Sequence, residues 1–247
     1  MEHFVITSEQ QWYKIQEERE ANFRNLVGEK RKGRIGNTGF FVNDSDEIRL
    51  LGTFLKQDTE AFYHADYNGG GSWKILNSIE NLIWTLKNDV EPFPDRLKNV
   101  IPQFDRILLQ DLPQILQTIN KRNLTVCVVP RSKAESYYRE DQLLFREVIS
   151  IVVDKLPNFD NGTKYIIRHT NTRTTHLNKN GGDGNLPYPG ITKDTCTISK
   201  QVKGKDILLI DDLYTKSVNI DEDAIQALLD NGANKVIFYS IGYTRRI

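Results

Sequence analysis

Apolar and polar positions are arranged differently in the two halves of the chain. Within residues 8–30, Trp12, Ile15, Phe23 and Leu26 recur at roughly helical spacing in a polar background, which predicts a helix. Thr38–Val42 and Ile48–Leu55 flank the turn residues Asn43-Asp44-Ser45-Asp46 and predict a β-hairpin. From Ser72 to Lys87, Ile75, Leu76, Ile79, Leu82, Ile83 and Leu86 fall on one helical face, predicting an amphipathic helix with Ser72 as N-cap. Pro92, Pro94 and Pro102 then predict a linker. Beyond it, helical patterns over Ile107–Asn120, Leu143–Leu156 and Asp221–Asp230 alternate with short apolar runs at Thr125–Val129, Tyr165–Ile167, Ile207–Ile210 and Val236–Ile241. Strands apolar on both faces, alternating with helices, imply an α/β fold with a parallel sheet flanked by helices. The expected organisation is an α+β region over 1–100 and an α/β domain over 101–247. Residues 168–200 form a long polar, glycine-containing stretch, a length often used as a lid.

Composition narrows the classes. The 247 residues suffice for one elaborated domain or two small ones. With 33 basic and 33 acidic residues the formal net charge is zero, so a nucleic-acid partner is not expected without a sorted basic face. Two cysteines, Cys127 and Cys196, cannot build paired CxxC zinc ligands or a disulfide framework, which points to a reducing compartment. The polar start MEHFVITSEQ is unlike a signal peptide, and no run of ~18 apolar residues occurs. A cytoplasmic protein without a membrane span is the expectation.

The chemistry concentrates in Lys205–Asn219, KDILLIDDLYTKSVN. An apolar strand ends in the adjacent carboxylates Asp211 and Asp212, and a hydroxyl-containing turn leads into a helix. At the carboxyl end of a parallel strand, such a turn and the helix behind it present backbone N–H groups to an anion. Carboxylates beside an anion site suit a ligand that carries phosphate together with sugar hydroxyls or a divalent cation, held directly or through water.

These residues carry a resemblance. ILLIDDLYTKSVN, followed by IDEDAIQALLDNGANKVIFYSIGYT, resembles the phosphoribosyl-pyrophosphate (PRPP) motif of type I phosphoribosyltransferases. Within that family it is most similar to the competence-associated amidophosphoribosyltransferase-like group, whose zinc finger two cysteines cannot supply. The resemblance spans about residues 123–244 and implies that Asp211 and Asp212 bind the ribose hydroxyls. It assigns the 5′-phosphate to Thr215, Lys216, Ser217, Val218 and Asn219. The loop Val128-Val129-Pro130-Arg131-Ser132-Lys133 would bind pyrophosphate through Arg131, Ser132 and Lys133. A flexible loop bearing Arg168 and Arg173, with His169 and His176 nearby, would close over the ligand. Mg²⁺ is the implied cofactor, with Asp211 and Asp212 as ligands through water, and a homodimer is the implied assembly.

The expected activity is therefore Mg²⁺-dependent transfer of the phosphoribosyl group of PRPP to a nitrogen nucleophile, with release of pyrophosphate. Residues 1–100 would supply a hood over the acceptor or a partner-binding part. The turn Lys216-Ser217-Val218-Asn219 stands where the family has Thr-Gly-x-Thr. That departure keeps open a non-catalytic PRPP- or nucleotide-sensing module, or a protein-interaction module, on the same fold. Tyr63, Tyr67 and Trp73, near the glycines 69–71, read first as packing residues, Cys127 as a core thiol, and His3 and His64, isolated in the sequence, as surface or hydrogen-bonded residues rather than ligands.

Overall fold

A computed structural model describes residues 1–6, 55–89, 94–172, 174, 190–191, 195–215 and 220–244, and the backbone of 40–42 and 48–50. The helix expected over 8–30, Arg173, His176 and the turn 216–219 lie outside the described residues.

The strands are β1 (Glu2–Ile6), β2 (Phe40–Val42), β3 (Ile48–Leu50), β4 (Thr59–Tyr67), β5 (Leu124–Val128), β6 (Phe159–Asn161), β7 (Ile166–Arg168), β8 (Cys196–Ile198), β9 (Asp206–Tyr214) and β10 (Lys235–Thr244). The helices are α1 (Ile79–Lys87), α2 (Pro94–Thr118), α3 (Leu144–Lys155) and α4 (Ile220–Asp230). Six strands form one mixed sheet in the order β1-β4-β10-β9-β5-β6, in which only the edge strand β1 runs antiparallel. The chain thus has a mostly parallel sheet with helices on both faces, an α/β fold. Smaller antiparallel pairs join β2 to β3 and β7 to β8.

Strand alternation explains the layers. In β9, Leu208 and Ile210 pack with Leu82, Ile83, Phe104, Leu108, Ile149 and Val153 from α1, α2 and α3. Ile207 and Leu209 pack on the other face with Ala224, Ile225 and Leu228 of α4. Both faces of a central strand are therefore apolar, as burial between two helical layers demands.

Several boundaries differ from the sequence pattern. The helix expected from Ser72 breaks at Asn77, which adopts a left-handed φ of 64°. Ser72–Lys74 makes only a 3₁₀ turn, and Ile75 and Leu76 are 63% and 71% exposed. Ser78, rather than Ser72, caps α1 by accepting from Asn81 N at 3.0 Å. Of the expected proline linker, Pro92 lies outside the described residues, and Pro94 and Pro102 belong to α2. Pro94 opens that helix, where its missing N–H is no loss, and Pro102 and Pro113 sit on its exposed face, where water can serve the freed carbonyls. The boundary expected at residue 100 therefore falls inside α2. The strands β1 and β4 from the first hundred residues extend the same sheet as β5, β9 and β10. Among the described residues, no helix is long and apolar enough to cross a membrane.

Candidate functional site

The sheet order creates a crevice. From β5 the chain passes through α3 to β6 on one side, whereas from β9 it passes through α4 to β10 on the other. The two connections diverge between neighbouring parallel strands, at the point where α/β sheets place ligands beyond the strand carboxyl ends. Val128 pairs with Ile210, and Val129 N continues the ladder to Ile210 O at 3.0 Å. The loop after β5 and the acidic pair of β9 therefore lie side by side.

β9 does not stop at the acidic pair. Its pairing with β10 continues through Asp211↔Ser240, Leu213↔Gly242 and Tyr214↔Tyr243. Consecutive side chains of an extended strand point to opposite faces, so the two carboxylates part company. Asp211 turns toward the first turn of α4 and Asp212 toward the last turn of α1, where Lys87 Nζ meets Asp212 Oδ2 at 3.1 Å.

Asp211 is crowded by negative charge. Burial and the neighbouring Asp212 raise its carboxyl to about 7, against a hydrogen bond from Asp221, the attraction of Lys87 and its own bond from Asp212 N. Asp221 is raised well above the usual carboxylate range by burial, by Asp211 and by Glu222. The hydrogen bond favours the charged form of Asp211 and the neutral form of Asp221. The pair therefore shares a proton that is held more by Asp221 than by Asp211. Asp221, Glu222 and Asp223 are all buried in the first turn of α4. They suit the positive end of the helix dipole and offset the attraction it would offer to a phosphate.

The loop after β5 is the reverse case, because its cations are already bonded. Arg131 donates from Nη1 to Lys87 O at 2.6 Å and to Gln142 O at 2.9 Å, pairs with Asp89, and lies over the Tyr138 ring. Lys133 is buried, and its ammonium donates to Thr172 O at 2.8 Å. Ser132 Oγ lies 2.9 Å from Thr174 Oγ1, and Ser132 O accepts from both the N–H and the hydroxyl of Thr172. The pyrophosphate ligands expected from the sequence thus stitch this loop to the end of α1, to Gln142 and to Thr172 and Thr174.

Arg168 completes that stitching. It was expected on a flexible loop but is the last residue of β7 and 2% exposed. Its Nε donates to Arg131 O at 2.6 Å and its Nη1 to Gly190 O at 3.3 Å. It holds the backbone of the loop after β5. Thr215 stands at the crest beyond β9, its hydroxyl 2.9 Å from that of Thr244.

The structure adds Lys87, Asp89 and Asp221 to the site. Asp221 was foreshadowed by the acidic run that opens α4, whereas Lys87 and Asp89 had no local signal, because only the tertiary arrangement brings α1 to the crevice. His64 is hydrogen-bonded, as expected: its Nδ1 lies 2.9 Å from Oδ2 of buried Asp111, which also accepts from Tyr239 OH at 2.7 Å. A scan against models of protein families finds no match for the chain, and no curated protein matches it.

The donor set does not make a resident Mg²⁺ site. Among the described residues no group of three His, Cys, Asp or Glu side chains is arranged to hold a metal. Asp211 already accepts from Asp221 and from Asp212 N, and Asp212 is paired with an ammonium. Hard divalent cations want several free oxygens in a fixed shell.

Proposed function

We propose that the crevice between β5 and β9 binds a phosphorylated ribose, with PRPP the first candidate, and that the protein transfers its phosphoribosyl group to a nitrogen nucleophile. The observation that carries this reading is the placement of Asp211 and Asp212 near the carboxyl end of a central parallel strand, just beyond its pairing with β5, at the sheet's switch point. Carboxylates there accept hydrogen bonds from the ribose hydroxyls. In the transfer, the C1–O bond to pyrophosphate breaks with its electron pair on the leaving group. The nitrogen lone pair forms the new C1–N bond, and the nitrogen's proton passes to water. The sugar develops positive charge at C1 on the way, and the carboxylates favour that charge.

A second reading, binding without turnover, rests on a specific observation. Arg131 and Lys133, the cations best placed to receive departing pyrophosphate, are spent on carbonyls and on Asp89. Calorimetric titration with PRPP, followed by pyrophosphate-release assays over bases and amines, separates the two. Transfer predicts binding and acceptor-dependent release, and sensing predicts binding alone. The Asp211→Asn/Asp212→Asn variant should lose about a hundredfold or more in affinity while remaining folded. Unchanged affinity rejects the site.

A further inference from the structure

We infer that Lys87 is the resident cation of this crevice: its ammonium takes the position at Asp212 that a divalent metal would otherwise occupy, so that ligand binding at the carboxylates does not require Mg²⁺. This rests on the phosphoribosyl-binding reading for its choice of ligand, but not for its geometry.

The segment 87–89 spans the crevice and is fastened at both sides. Toward β9, Lys87 Nζ lies 3.1 Å from Asp212 Oδ2. Toward the loop after β5, Lys87 O accepts from Arg131, and the Asp89 carboxylate pairs with the same guanidinium. Asn88 ties the segment down further. Its Nδ2 donates to Asp141 Oδ2 at 2.7 Å, and its carbonyl accepts from Gln142 Nε2 at 3.1 Å. Ser78 starts α1 with a side-chain cap, and the buried Leu82, Ile83 and Leu86 lock the helix against the sheet. The ammonium is therefore delivered by a fixed scaffold rather than by a surface side chain.

Electrostatics agree with the placement. Burial opposes the charge on Lys87, yet the attractions of Asp212 and Asp211 prevail and hold its ammonium above the ordinary lysine value. The Lys87 ammonium supplies one positive charge beside Asp212, with N–H groups to donate to a ligand oxygen. A metal would have to displace it.

The test uses the full chain, with Mn²⁺ alone as one probe and PRPP as another. Mn²⁺ binding is read by the loss of free-ion paramagnetic signal in the wild type, Lys87→Met, Lys87→Arg and Asp211→Asn/Asp212→Asn. The wild type and Lys87→Arg should show no binding that depends on the aspartates, and Lys87→Met should gain it. Aspartate-dependent Mn²⁺ binding in the wild type overturns the inference, and so does failure of a folded Lys87→Met to gain a site. Thermal melts establish which variants are folded. If Lys87→Met does not fold, Lys87→Gln, which keeps a polar group of similar reach, takes its place under the same criteria. In the PRPP arm, wild-type affinity should be the same within about threefold in EDTA and in Mg²⁺, whereas Lys87→Met should weaken by about tenfold or more in EDTA and recover in part with Mg²⁺. Wild-type binding that vanishes in EDTA also overturns the inference. If PRPP binds under no condition, the phosphoribosyl reading fails while the Mn²⁺ arm still decides the role of Lys87.

Discussion

The two crests that face each other across the crevice are built on opposite principles. Beyond β5, every cation has a counterpart: Arg131 has two carbonyls and Asp89, Lys133 has Thr172 O, and Arg168 closes the loop from behind. Beyond β9, among the described residues, Lys87 pairs with Asp212, Asp211 shares a hydrogen bond with Asp221, and Glu222 and Asp223 lie buried in the same first turn of α4. Buried polar groups that are fully paired make a rigid frame, whereas crowded like charges hold free energy that a binding partner can release. The basic crest is thus the scaffold and the acidic crest the responsive side. This inverts the expectation that Arg131 and Lys133 reach out to an anion.

The strongest way to break that contrast is to disable the scaffold. Arg168→Met should cost about 3 kcal/mol or more in urea unfolding, because it removes a charged donor from the Arg131 carbonyl and leaves Gly190 O with Thr195 Oγ1 alone. Arg168→Lys should not restore the loss, since one ammonium cannot reproduce the guanidinium fork. A cost below about 1 kcal/mol would mean the loop is held otherwise. Gly242→Ala comes next. An added Cβ would stand 2.8 Å from Ile83 Cδ1 and 2.9 Å from Leu213 Cδ1, so these buried side chains between α1 and the sheet would have to repack. A destabilisation of about 1–3 kcal/mol is expected from overpacking, measured by thermal unfolding.

The acidic crest makes a prediction of its own about pH. Asp211 and Asp221 hold protons in the folded chain at pH values where an unfolded carboxyl has lost them. Their contribution to stability is therefore complete below about pH 4 and is lost as pH rises, for Asp211 through about pH 7. Melting temperature should fall between pH 5 and pH 8, and Asp221→Asn should flatten that slope and raise the melting point at pH 8. A melting temperature that climbs across this window in the wild type would contradict the shared proton. The smallest effect belongs to Leu76→Ser, within about 0.5 kcal/mol, because that side chain is 71% exposed.

How far the sequence revealed this architecture depends on which interactions decide each part. The apolar runs of β5, β9 and β10 and the acidic pair are local patterns, and they stand where the pattern placed them. β4 escaped notice because Glu60, His64 and Asp66 interrupt its apolar residues. Its polar positions are satisfied only in three dimensions, Glu60 by Lys235 and His64 by Asp111. The stretch 72–87 has helical periodicity throughout, yet Asn77 in a left-handed conformation divides it, so Ile75 and Leu76 never reach the core. Prolines suggested a linker where α2 tolerates them on its exposed face. The separation of Asp211 from Asp212 was illegible because it follows from two more paired residues of β9 beyond the acidic pair. Lys87 could not be assigned at all without the packing of α1.

The most direct test of the account is a PRPP titration followed by calorimetry, run side by side on the wild type and Asp211→Asn/Asp212→Asn, both shown to be folded by thermal melts. The account predicts a saturable isotherm for the wild type and its loss in the variant. Equal affinity in the two proteins, or no heat in either, would contradict the assignment of the β9 crest as a phosphoribosyl-binding site.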